Sequence, residues 1–66
     1  MNILYKIFIF EDHYEVKALH SDFELMCPKR KDTLKILLHM CRDMLEGVYD
    51  EKGVKLSEQH IKELSV

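Results

Sequence analysis

Residues 3–10 read ILYKIFIF, a run of β-branched and aromatic side chains in which apolar and polar positions barely alternate. A strand covered on one side only alternates between the two classes, so this run predicts a strand with something against both faces. Two further strands follow. In 14–20, Tyr14, Val16 and Ala18 fall on one side and Glu15 and Lys17 on the other. In 23–27, Phe23, Leu25 and Cys27 oppose Glu24 and Met26. A two-residue turn at Asp12-His13 sets Ile9 opposite Val16 and Ile7 opposite Ala18. A second at Ser21-Asp22 sets Ala18 opposite Leu25 and Val16 opposite Cys27. This register gathers one apolar face that includes Ile3 and Tyr5. A three-residue first turn would instead push Lys6 into it, and a one-residue slip would exchange every side chain between faces.

The pattern then changes period. Leu34, Leu37, Leu38, Cys41, Leu45 and Val48 recur at helical spacing behind Asp32, a candidate N-cap, and Gly47 falls where helices commonly stop. Lys35, His39, Arg42 and Glu46 occupy the opposite side. Ile36, Met40 and Met44 widen the apolar arc to about half the circumference, more than one sheet face need cover. Residues 49–55, YDEKGVK, read as a turn around Gly53. A short second helix is expected to start at Ser57, with Leu56 and Ile61 placed as a hydrophobic staple. The expected fold is α+β: residues 1–66 as one small domain, a three-stranded antiparallel sheet (β-β-β) packed on one long helix, with a short C-terminal helix.

In that register the outer sheet face carries Leu4, Lys6, Phe8, Phe10, Glu15, Lys17, Leu19, Glu24 and Met26. Burying each Phe is worth roughly 1.5–3 kcal/mol, a large share of the stability of so small a domain. Three occupants are open: the C-terminal helix folded under the sheet, a second copy, or a different protein. The second copy has an additional route, strand pairing at the edge of the first strand. Leu4, Phe8, Phe10, Leu19 and Met26 would form the centre of the contact and Lys6, Lys17 and Glu24 its rim.

Composition narrows the classes. A chain of 66 residues buries only about 60% of the surface its unfolded form exposes, so a second copy would add to a small core. With 47% hydrophobic and 33% charged residues and only two Gly and one Pro, disorder is not expected. The longest apolar run, Ile7–Phe10, is too short for a membrane span, and no signal peptide is read at the N-terminus. Cys27 and Cys41 do not make a secreted disulfide framework, which points to the cytoplasm with both thiols reduced. The net charge of −2 is unevenly spread: −3 over residues 1–27, +2 over 28–47 and −1 over the rest.

Candidate chemistry is sparse. His39 and Cys41, two apart on a helix, point about 200° apart and cannot share an ion, and neither C-x-x-C nor H-x-x-x-H occurs. No metal or other cofactor is expected. Phosphate loops, nucleophile elbows and zinc-protease motifs are lacking, and Glu11-Asp12-His13 reads as a solvated turn, so no enzyme is expected. The basic stretch PKRKD places Lys29, Arg30 and Lys31 just before a helix N-terminus, where anions are welcome. With Lys35 and Arg42 it forms the candidate contact for an anion or nucleic acid, though no aromatic is interleaved with the bases.

The order β-β-β-α, with Tyr14-Glu15-Val16 on the second strand and Asp32-Thr33-Leu34 opening the helix, resembles the N-terminal domain of HicB-like antitoxins. The likeness covers about two-thirds of the chain. It departs where Ser21-Asp22-Phe23 replaces a Pro- and Gly-containing stretch, and 20 residues after the helix leave little room for an appended DNA-binding domain. It implies a small protein that neutralises another by binding it, as small phage and mobile-element proteins of similar size do. The expected function is a homodimeric, non-catalytic protein-interaction module. The alternative is a nucleic-acid-binding accessory protein using residues 29–42.

Overall fold

The computed structural model describes residues 3–66. Its elements run β1 (Tyr5–Ile9), β2 (His13–Ala18), β3 (Glu24–Pro28), α1 (Thr33–Cys41), β4 (Leu45–Tyr49) and α2 (Glu58–Leu64), with a single 3₁₀ turn at Arg42–Met44. The sheet has four strands in the order β3-β2-β1-β4. Both β1–β2 and β2–β3 are antiparallel, and β4 lies parallel to β1. The expected three antiparallel strands on one long helix are therefore corrected to a four-stranded mixed sheet with two short helices.

The correction has a specific cause. Leu45 and Val48 are three residues apart, which is helical spacing, yet both belong to a strand. Tyr5 pairs with Leu45 but Lys6 pairs with Gly47, so Glu46 is an extra residue on β4, a bulge. The bulge restores the parity that a regular strand would lose: Val48 is wholly buried and Leu45 packs against the same core. Gly47, expected as a helix stop, sits inside the strand. A Cβ there would lie 2.8 Å from Lys55 Cε, so its bareness lets the Lys55 stem cross β4.

β1 is thus an interior strand, paired on both sides, and the edge once expected to invite strand addition is occupied by β4. The outer edge of β4 is in turn partly covered. The chain returns through a turn with Gly53 at φ 82°, the Leu56 N–H donates to the Val48 carbonyl at 2.8 Å, and Lys55 bridges Tyr49. Asp50 Oδ1 holds this turn by accepting from the N–H groups of Lys52 and Val54, each at 2.9 Å.

Both hairpin registers differ from expectation by two residues. Ile7 pairs with Val16, Ile9 with Tyr14, Val16 with Leu25 and Tyr14 with Cys27. The first turn is Glu11-Asp12, closed by the Phe10 N–H on the His13 carbonyl. The second connection is the wider loop 19–22, in keeping with the absence of the Gly that tight primed turns prefer. A shift of two preserves parity, so the predicted faces survive although the pairs do not.

The core is Ile7, Tyr14, Val16, Leu34, Leu37, Cys41 and Val48, between the inner sheet face and α1. Asp32 does hold the N-cap position of α1, but in the left-handed region (φ 68°) and with no side-chain cap bond. The Thr33 hydroxyl accepts from the Arg30 N–H instead. Ser57 caps α2, accepting from the His60 N–H at 3.2 Å, and Leu56 and Ile61 pack against the core. α2 therefore joins α1 on the inner side and does not fold under the sheet.

Truncating Ile7 to Ala is expected to cost about 2–5 kcal/mol, whereas exposed Val54→Ala should stay within about 0.5 kcal/mol. Gly53→Ala meets no neighbour, so its expected cost of about 1–2 kcal/mol is that of forcing a Cβ to positive φ. Urea denaturation of the three variants checks both statements.

Candidate functional site

Alternation along the strands places Lys6, Phe8, Glu15, Lys17, Glu24 and Met26 on the outer face. The cross-strand bond from the Leu19 N–H to the Leu4 carbonyl, at 2.9 Å, and the Phe10–His13 turn pair extend that face at both ends. All eight predicted interface residues thus lie on one surface, and among the described residues no element of the chain covers it.

β4 adds to this surface Tyr49, which falls in the expected turn 49–55. The ring of Tyr49 stacks on Phe8 with centroids 5.3 Å apart. Lys6 Nζ lies 5.1 Å from the Tyr49 centroid and Lys17 Nζ 5.4 Å from that of Phe8. The Tyr49 hydroxyl donates to the Glu46 carboxylate, which raises the phenol's pKa above its ordinary value. Lys17 reaches Glu15 and Glu24 at 3.6 and 3.5 Å. Ammonium groups therefore lie over the rings of Phe8 and Tyr49, a partial self-cover, and Leu4, Phe8, Phe10 and Leu19 are half-buried. Met26 stays bare, at 67% exposure.

At one end of this face His13 stacks on Phe10 (4.7 Å) and is bracketed by Asp12, at 2.7 Å from Nδ1, and Glu15, at 3.0 Å from Nε2. The hydrogen bond to Asp12, then that to Glu15, raises the imidazole pKa above 6.5, and the same Asp12 bond lowers that carboxyl below 3.8.

The five predicted basic residues do not form one patch. Arg30, Lys31 and Lys35 line a shallow depression of about 280 Å³ together with Leu64, Ser65 and Val66 at the end of α2. Lys29 turns away, donating to the Phe10 carbonyl at 3.1 Å and lying over the Tyr14 ring. Arg42 sits beyond the other end of α1 against Asp43.

A second apolar surface had only a faint signal in the sequence. Tyr5, Val16, Phe23, Leu25, Leu37, Met40, Cys41 and Met44 line a groove of about 170 Å³ between β3 and α1. Its signal was the over-wide apolar arc of Ile36, Met40 and Met44. Cys27 and Cys41 are free thiols on the inner side, and burial pushes the Cys41 thiol pKa up. Among the described residues no three His, Cys, Asp or Glu side chains are grouped to hold a metal, and no helix is long and apolar enough to cross a membrane.

Titration of His13 by NMR is expected to give a midpoint above 6.5, moving down in Asp12→Asn. Because the folded pKa is raised, the stabilisation is complete below 6.5 and fades as pH rises through the higher folded value. Because Asp12 is lowered, its share is present above 3.8. Melting temperature should therefore decline as pH rises from 6.5 through that His13 midpoint and level off beyond it, and the decline should be shallower in Asp12→Asn.

The chain matches no family model, no curated protein and no solved structure.

Proposed function

We propose that this chain is a small, non-catalytic, homodimeric module that binds another protein and inhibits it. The supporting observation is the outer sheet face, which carries Leu4, Phe8, Phe10, Leu19 and Met26 with Lys6, Lys17 and Glu24 in a charged row across it, and which has no covering element among the described residues. Partly exposed aromatic and Met side chains interleaved with charged ones are a composition that protein contacts use. The lysines over Phe8 and Tyr49 fit this reading, since a partner's carboxylates can draw them aside and open the rings. The antitoxin-like character rests on the resemblance alone. Its positions have structural employment here: Tyr14 and Val16 are core residues of β2, and Asp32-Thr33-Leu34 opens α1.

The nucleic-acid alternative is the weaker reading. Three of its five bases share a depression, but Lys29 and Arg42 point elsewhere and the net charge is −2.

Affinity capture from the native host lysate tests the protein-binding reading, with the wild-type chain beside Lys6→Glu and Phe8→Glu as baits. The expected outcome is one protein held in near-stoichiometric amount by wild type and lost from both variants. Lys6→Glu reverses a charge without touching the core, whereas Phe8 is half-buried against Tyr49, so circular dichroism should accompany the second bait. Identical retention by all three baits overturns the outer face as the binding site.

A further inference from the structure

Among the described residues the edge of β3 has no strand or returning segment beside it. Its hydrogen-bonding phase is readable. The Ala18 N–H donates to the Phe23 carbonyl at 3.2 Å, so Phe23 turns its backbone groups toward β2. By the alternation of an antiparallel ladder Leu25 and Cys27 do the same, and Glu24, Met26 and Pro28 turn theirs outward. Proline has no N–H to offer, which suits the last outward position of an edge. The open row is thus two donors, at Glu24 and Met26, and three carbonyls.

This phase constrains any copy that adds there in the antiparallel sense. Outward-turned residues must meet outward-turned residues, so Glu24 and Met26 pair with the second copy's Met26 and Glu24, or Met26 pairs with its own counterpart. Every such match joins even-numbered positions, which share the outer face. Inner face then continues into inner face, and α1 stands on the same side as the second copy's α1. Hydrogen bonding alone therefore brings the two β3–α1 flanks together.

Those flanks are apolar. Phe23, Leu25, Ile36, Met40 and Met44 are between 39 and 64% exposed, and all but Ile36 line the groove between β3 and α1. Ile36 lies one helical turn before Met40. A standard interface hides roughly 800 Å² per partner, about a sixth of the 5126 Å² this chain exposes. In such a dimer that area would be drawn from the open β3 edge and the exposed parts of these five side chains.

Charge selects a second copy over a foreign strand. β3 is entered through acidic residues, Asp22 and Glu24, and left through basic ones, of which Arg30 and Lys31 remain after Lys29 turns to the Phe10 carbonyl. Antiparallel self-pairing lays the acidic end of each copy along the basic end of the other, twice, while parallel pairing would set like against like.

We propose that a second copy of this chain docks on the β3 edge and the adjoining α1 flank. The two β3 strands pair antiparallel about a two-fold axis, into one continuous sheet with both α1 helices on the same side. This rests on the homodimeric part of the reading above and leaves the outer face free for a different protein.

Sedimentation equilibrium of the full chain over a hundredfold concentration range tests it. Wild type is expected to be a dimer. Met40→Lys, at an exposed position, should weaken it by about tenfold or more with an unchanged circular dichroism spectrum. Asp22→Arg and Arg30→Asp should each weaken the dimer, and the double variant should recover most of the loss, which a change in folding alone would not do. Lys6→Glu should leave it intact. A dimer indifferent to Met40→Lys and to the charge exchange, but lost in Lys6→Glu, overturns the proposal by placing the second copy on the outer face. A monomer at every concentration overturns it together with the homodimeric reading, and leaves partner binding to the capture experiment.

Discussion

Among the described residues Ile7 and Val48, neighbours across the parallel β1–β4 pair, are the two large side chains wholly removed from water. The rest of the domain is arranged so that this can happen. β1 must be interior, which requires β4 on one side and the β2–β3 hairpins on the other. A parallel partner in turn requires a crossover, and α1 supplies it while closing the core from above. The bulge at Glu46 is the joint in this arrangement. Without the extra residue, Leu45 and Val48 could not both face α1, and one would be turned to the outer face.

The same joint shapes the outer surface. Once β4 lies beside β1, Tyr49 stacks on Phe8 and brings Glu46 and Lys6 with it, so the face acquires a fourth column of side chains. What would have been a bare aromatic strip becomes a lattice of rings, ammonium groups and carboxylates. Its residual exposure concentrates at Met26, on the strand farthest from β4. The two surfaces with exposed apolar side chains thus meet at β3, the outer face on one side and the α1 groove on the other.

Much of this was legible in the chain and some was legible but misread. The alternation in 14–20 and 23–27 assigns each side chain to a face, and the structure keeps that assignment even though both hairpins slide by two residues. Face membership depends only on parity, whereas the exact pairs depend on how each turn closes. Turns without glycine, at Glu11-Asp12 and over 19–22, leave that closure to tertiary packing. Ser57 with Leu56 and Ile61 marks the start of α2 correctly, because capping is local chemistry. Asp32 marks the start of α1 by position but not by the bond expected of it.

The sequence by itself determined the strands β1 to β3, the sidedness of their residues, the turn at Gly53 and the start of each helix. Each of these follows from interactions within a few residues. Tertiary structure alone decided that Leu45–Tyr49 is a strand, because a bulged strand and a helix both set apolar residues three apart. Only the open hydrogen-bonding edge of β1 breaks the tie. It also decided that α2 packs on the inner side, that Lys29 leaves the basic cluster for the Phe10 carbonyl, and that the free edge belongs to β3. Those outcomes turn on which distant segment reaches a surface first, and local pattern carries no record of that.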